Sequence, residues 1–248
     1  MSLRHGASTL ANWLLGRFGL EVRRRFTGGP RRVTMRAALE RFESLGFEPA
    51  TVIDVGVASG TPELYAVFPR AHHVLIEPMR EFAADLQSVA RRLARAEIIL
   101  AAAGESAGET LLNVGSDLQL TSTGRVLDGT FPAREQRSVP TVTLNDVWRE
   151  RGLKAPALLK VDVEGSELAV LRGGEEMLKQ TDCVVLECWF RRVFSHAELV
   201  DATLRQMADR GFRIDDFTEL AYGPDGDLRK ADCLFVREGS DLARKLGR

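Results

Sequence analysis

Apolar positions along the chain follow two rhythms. Short, continuous runs of β-branched and aliphatic residues occupy 51–55, 73–77, 97–102, 157–161 and 183–187. Between them lie longer stretches, 33–45, 62–68, 80–95, 165–180 and 196–210, with amphipathic helical spacing. Continuous runs predict strands covered on both faces, and a 3.6-residue period predicts helices. Their alternation predicts a parallel sheet with helices on both sides. Residues 212–218 and 232–236 flank Gly-Pro-Asp-Gly at 223–226 and predict a closing hairpin. That connection is too short for a crossover, so one of its strands must be antiparallel. The expectation is an α/β fold whose seven-stranded, mostly parallel sheet has one antiparallel strand near its C-terminal edge. Between the third strand and 157–161, residues 110–114 read as a short hairpin piece and 116–138 as a polar, irregular binding loop or lid. Residues 139–144 read as extended, with Asn145-Asp146 capping a helix.

Residues 1–45 differ from this alternation and read as an N-terminal helical extension, leaving 46–248 as the main domain. Leu10, Trp13, Leu14, Phe18 and Leu20 fall on one helical face, followed by Arg23, Arg24 and Arg25. This helix packs on the domain or on a second subunit; a membrane surface is the alternative. The arginines after the short apolar segment argue against a signal peptide, and no apolar run is long enough to span a membrane. Cys183, Cys188 and Cys233 lie in or beside apolar strands without metal-ligand spacing, which fits reduced thiols and a cytoplasmic protein. The 248 residues carry a net charge of −1, so there is no bulk electrostatic case for nucleic acid.

The first predicted strand runs into Asp54-Val-Gly56-Val-Ala-Ser59-Gly60, then Thr61-Pro62 at a helix start. Strand, glycine turn and helix build a nucleotide pocket at the carboxyl ends of an open sheet. A turn made for pyrophosphate has no use for a carboxylate; one carrying Asp54 suits a ligand with a cationic or hydroxyl-rich part. S-adenosylmethionine has an ammonium, a sulfonium and a ribose. The second strand ends on Glu77 and is stopped by Pro78. That spacing places a carboxylate on ribose hydroxyls. The third strand ends in Ala101-Ala102-Ala103-Gly104, small enough to face a flat ring. The competing reading makes Asp54 a turn residue and Glu77 a solvated strand end.

Leu158-Leu-Lys-Val-Asp162-Val-Glu164-Gly165-Ser-Glu167 is the second informative stretch. Asp162 ends one strand and Glu187 the next, so both reach one rim. Glu164 and Glu167 serve the site, or place charge at a helix N-terminus. Trp189, Phe190 and Phe194 wall an acceptor pocket or pack in the core. His72 and His73 read as structural or exposed.

Val-Ile-Asp-Val-Gly-x-x-x-Gly, Ile-Glu-Pro and Leu-Lys-Val-Asp-Val-Glu-Gly-x-Glu-x-x-Val-Leu-x-Gly-Gly together resemble the FkbM family of S-adenosylmethionine-dependent methyltransferases. The resemblance covers residues 50–187, and loosely the chain to 236. It implies a Rossmann-like class I methyltransferase fold and O-methylation of a hydroxyl on a polyketide, sugar or other secondary metabolite. It also implies Asp54, Gly56 and Gly60 around the methionine part of the donor and Glu77 on its ribose. One departure is Val57-Ala58-Ser59, where members usually carry Ala-Asn and an aliphatic residue. Ser59 is then the replacement for a lost amide contact.

Methyl transfer from a sulfonium leaves the protein to position the acceptor and manage one proton. Two routes suit these residues. In one, Asp162 or His196 accepts the hydroxyl proton. In the other, Asp162 and Glu187 hold Mg²⁺ or Ca²⁺, which acidifies the hydroxyl. His196 is otherwise a helix-start residue in solvent. A nicotinamide-dependent oxidoreductase lacks its three-glycine fingerprint here, and an inactive binding or scaffold domain would not need Asp54, Glu77 and Asp162 together.

Overall fold

In the computed structural model the described residues are 34–115, 117–124, 126–127 and 134–247. The amphipathic stretch at 10–20 lies outside them, as do Ser116, Arg125 and residues 128–133. A seven-stranded sheet runs β3 (Arg95–Ile99), β2 (His72–Ile76), β1 (Thr51–Val55), β7 (Ala157–Val161), β8 (Thr181–Trp189), β10 (Leu228–Arg237), β9 (Phe212–Tyr222). Every pairing is parallel except those of β10, which runs antiparallel to both neighbours. This is the Rossmann-like class I methyltransferase arrangement expected from the sequence.

The central strands β1, β2, β7 and β8 are buried at every position, because apolar clusters cover both faces. One cluster joins Val52, Leu75, Leu158 and Val185 to Leu39 and Phe42 of helix α1 (Met35–Ser44) and to Leu64 of α2 (Pro62–Val67). The other joins Ile53, Val74, Leu159 and Val184 to helices α4 (Leu144–Glu150), α5 (Glu167–Arg172) and α6 (Glu175–Leu178). Helix α1 begins where the Thr34 hydroxyl accepts from the Ala37 N–H (3.2 Å) and packs as part of this core. The remaining helices are α3 (Ala83–Ala90), α7 (Val200–Asp209) and α8 (Asp241–Lys245).

Four elements differ from the sequence expectation. Residues 80–95 hold a 3₁₀ turn and the short α3 in place of one long helix. Residues 165–180 split into α5 and α6 at Gly173-Gly174, where a side chain on Gly173 would lie 2.0 Å from the Gly104 carbonyl oxygen. Helix α7 starts at Val200, not His196. The fourth is a second, three-stranded sheet, β4 (Ala102–Ala103), β6 (Glu135–Val142), β5 (Gly108–Val114). Strands β5 and β6 pair antiparallel, so part of the predicted loop is strand. Met79, Ala102, Leu112, Val114 and Val139 bury a small core of their own beside the main sheet's carboxyl rim.

Among the described residues no helix is long and apolar enough to cross a membrane. Cys183, Cys188 and Cys233 are buried free thiols.

Candidate active site

The glycine turn is shaped by the sheet before any ligand enters. Gly56 has φ +75°, and a Cβ there would sit 1.7 Å from the carbonyl oxygen of Asp162 on the neighbouring strand end. No other residue fits that approach. Ala58 is also left-handed, at φ 47°. Glu77 holds it there: Oε2 accepts from the Ala58 N–H and Oε1 from the Met79 N–H, both at 2.8 Å. Burial raises the Glu77 pKa, and these two donors act against the rise. Each oxygen keeps a lone-pair direction for a ligand.

A pocket opens above this turn at the carboxyl ends of β1, β2 and β7. Gly56, Glu77, Pro78, Ala102, Ala103 and Asp162 all line it, so the structure brings six of the sequence-selected residues together. Its lining includes Phe82, Leu112 and Leu118, which share one apolar cluster, and the polar Asp162, Glu164 and Ser166 of the turn after β7. The remaining cofactor candidates do not line it. Asp54 is fully buried beneath the turn, where its Oδ2 accepts from the Tyr65 hydroxyl (2.7 Å) and its Oδ1 has no hydrogen-bond partner among the described residues. Ser59 is exposed, and Gly60 closes the turn through its N–H to the Val57 carbonyl (2.8 Å).

Around Asp162 lies a charge cluster in which Glu164 and Glu187 are buried and Asp162 is half-buried. Asp162, Glu164 and Glu187 offer carboxylate oxygens within 4.8 Å of one another. The expected meeting of Asp162 with Glu187 is present, and Glu164 joins them. Lys160 reaches Asp162 (3.1 Å); Lys230 contacts Glu187 and reaches Glu164 (3.5 Å). Burial opposes charge on Asp162, but Lys160 and Lys230 outweigh it and hold its pKa below the usual value. Glu187 is pushed well above its usual value, first by burial and then by Asp162 and Glu164. Glu164 rises to about 7 by burial. Glu167, also raised to about 7 by burial, accepts from the Gly165 (2.9 Å) and Val163 (3.2 Å) N–H groups and so fixes the turn after β7.

His196 meets the pocket through a hydroxyl pair. Its Nε2 lies 2.9 Å from Ser166 Oγ and 3.2 Å from Thr123 Oγ1. Those hydroxyls are 2.5 Å apart, and both residues line the pocket. Desolvation holds the imidazole pKa below its usual value, favouring the neutral form. The strip carrying Thr123 is pinned to the site, since Ser122 Oγ donates to the Glu164 carbonyl oxygen (2.7 Å). Trp189 and Phe194 stack edge-on at 5.2 Å in a small buried cluster with Val193 and Ala197, so their part is packing. His73 is structural: its Nε2 lies 2.8 Å from the Phe68 carbonyl oxygen in the core.

Sequence reasoning missed Lys160, Lys230, Thr123 and Ser166. Lys160 had a signal: a cation inside an apolar strand, two residues before Asp162 and therefore on the same face. Lys230 had none, because its place depends on pairing across β8 and β10.

A search of curated protein sequences gives no match. Similar solved structures include Aeropyrum pernix fibrillarin with natively bound S-adenosyl-L-methionine (16% identity, 80% of this chain and 74% of that one, TM-score 0.44). Magnesium protoporphyrin IX methyltransferase from Synechocystis PCC 6803 with bound SAM is another (11%, 93% and 97%, 0.42). A third is precorrin-6y C5,15-methyltransferase from Geobacter metallireducens GS-15 (9%, 85% and 93%, 0.41). Scores this low carry no substrate from those proteins to this chain. The family model for the methyltransferase FkbM domain matches residues 54–214, more than half of the chain and the span from the glycine turn through Asp162, Glu164 and Glu187. The chain belongs to the FkbM methyltransferase family.

Proposed function

We propose that the chain transfers the methyl group of S-adenosylmethionine to a hydroxyl of a small molecule. One observation carries the reading: one pocket is lined by apolar Phe82, Leu112 and Leu118, by Glu77 and by the carboxylate of Asp162. These three kinds of lining suit the donor's flat base, ribose and sulfonium. In this reading Gly56 and Ala58 give the ligand close access to backbone, and Pro78, Ala102 and Ala103 flank the adenine. Asp54, Ser59 and Gly60 act on the donor's methionine end by holding the turn from below and outside.

The acceptor hydroxyl then approaches the methyl carbon from the side of Asp162. Attack by the oxygen forms the C–O bond as the C–S bond breaks, and the released proton needs a base. His196, neutral near pH 7, takes it through Ser166; Asp162, kept charged by Lys160, orients the hydroxyl. A divalent cation on the hard oxygens of Asp162 and Glu187 would acidify that hydroxyl when bound. The test is incubation with methyl-labelled S-adenosylmethionine and a panel of hydroxylated small molecules, with RNA alongside. Label in an O-methyl ether supports the reading. Label in RNA alone, or in no acceptor despite donor binding, refutes it.

A further inference from the structure

Lys230 sits where a chain with three converging carboxylates would otherwise need an external cation. We propose that Asp162, Glu164 and Glu187 form a site for a hard divalent cation, and that the Lys230 ammonium competes with the ion for it. The inference deepens the methyl-transfer reading of this rim by adding a third ligand and a built-in competitor.

The donor set comes first. Oxygens bound to one hard cation at about 2.1–2.5 Å lie no more than about 5 Å apart. The three carboxylates offer oxygens within 4.8 Å. Independent of that clustering, Oε2 of Glu164 and Oε2 of Glu187 are buried and accept no hydrogen bond, although both residues are more than nine-tenths buried. A buried, unpartnered carboxylate oxygen is costly and is met where a ligand completes it. Asp162 also lines the donor pocket, so an ion here would touch the acceptor side of the reacting methyl.

The competitor is Lys230. Its ammonium contacts Glu187 and lies 3.5 Å from Glu164, and its side chain is 30% exposed, so it has a path out. Strand β10 delivers it through irregular pairing: the register with β9 shifts on both sides of Lys230. Such bulges re-aim side chains beside sites. On leaving the carboxylates the ammonium keeps a partner, the Trp189 ring at 5.2 Å. Lys160 is the other cation at the rim, but it is buried and held by Asp162, so it has no comparable exit.

The test uses Mn²⁺ as probe, titrated into the full chain by calorimetry and followed by its paramagnetic resonance signal. Wild type, Lys230→Met, Lys230→Gln and Glu164→Gln are compared, with S-adenosylhomocysteine affinity measured on each as a check of the donor pocket. Removing the ammonium should tighten Mn²⁺ at least tenfold, and Glu164→Gln should weaken it at least tenfold. If one Lys230 variant fails to fold, the other carries the comparison, and the wild-type and Glu164→Gln pair tests the ligand set. No Mn²⁺ binding in any folded protein overturns the site. Equal affinity in wild type and the Lys230 variants overturns the competition, and unchanged affinity in Glu164→Gln puts the ion elsewhere. Mn²⁺ binding without S-adenosylhomocysteine binding counts against the donor reading alone.

Discussion

Glu77→Ala removes one carboxylate that does two jobs. In the folded chain it accepts from the N–H groups of Ala58 and Met79, each at 2.8 Å. A hydrogen bond to a charged group contributes about 1.5–3 kcal/mol, so the two sum to about 3–6 kcal/mol. Keeping the carboxylate buried costs part of that, as its raised pKa reflects, so the net loss falls toward the lower end of this range. Ala58 must hold φ 47° without its anchor, so the turn should loosen as well. Urea denaturation should show a lower midpoint at unchanged slope. If the same carboxylate also binds the ribose, S-adenosylhomocysteine affinity should fall by a further ~1–3 kcal/mol, about 5- to 150-fold. Glu77→Gln keeps one acceptor oxygen and should lose about half the stability. Lost stability with unchanged affinity refutes the ribose assignment and leaves Glu77 as a turn anchor. Unchanged stability and affinity together refute both roles.

Gly56→Ala should be more damaging than its size suggests. It adds a methyl 1.7 Å from the Asp162 carbonyl and asks alanine for φ +75°, so β1 and β7 must part at their ends; a loss of about 3 kcal/mol or more is expected in thermal or urea unfolding. Glu164→Gln should stabilise the chain at alkaline pH. The Glu164 pKa rises from 4.5 to about 7, so the native state holds its proton after the unfolded chain has lost it. Wild-type stability therefore falls as pH climbs from about 4.5 through about 7 and is level beyond. Melting curves across that range should show a shallower fall for the variant; parallel curves would contradict the assignment.

The parts of this fold that were legible in the sequence are those whose burial is symmetrical. Strands β1, β2, β7 and β8 are covered on both faces, so they read as continuous apolar runs, and Asp54, Glu77, Asp162 and Glu187, in or just past the carboxyl-terminal part of each, stood out as the acids that interrupt them. Strands β5 and β6 were obscure for the opposite reason. Of β5 only Leu112 and Val114 are buried, and of β6 only Val139, so their pattern resembles a polar loop. Facing directions were harder than positions. Alternation along β1 turns Asp54 into the layer of Tyr65, away from the pocket, while the turn after β7 brings Glu164 back toward Glu187. Lys230 and the Ser166–His196 contact depend on pairing between distant segments, which no local pattern records.

The account stands on the pocket between Glu77 and Asp162 being a donor site, and isothermal titration of S-adenosylhomocysteine into the wild-type chain, with NAD⁺ titrated in parallel, tests this most directly. Saturable one-to-one binding of S-adenosylhomocysteine with no heat from NAD⁺ is the predicted result. Binding of NAD⁺, or of neither ligand by protein that melts cooperatively, would contradict it.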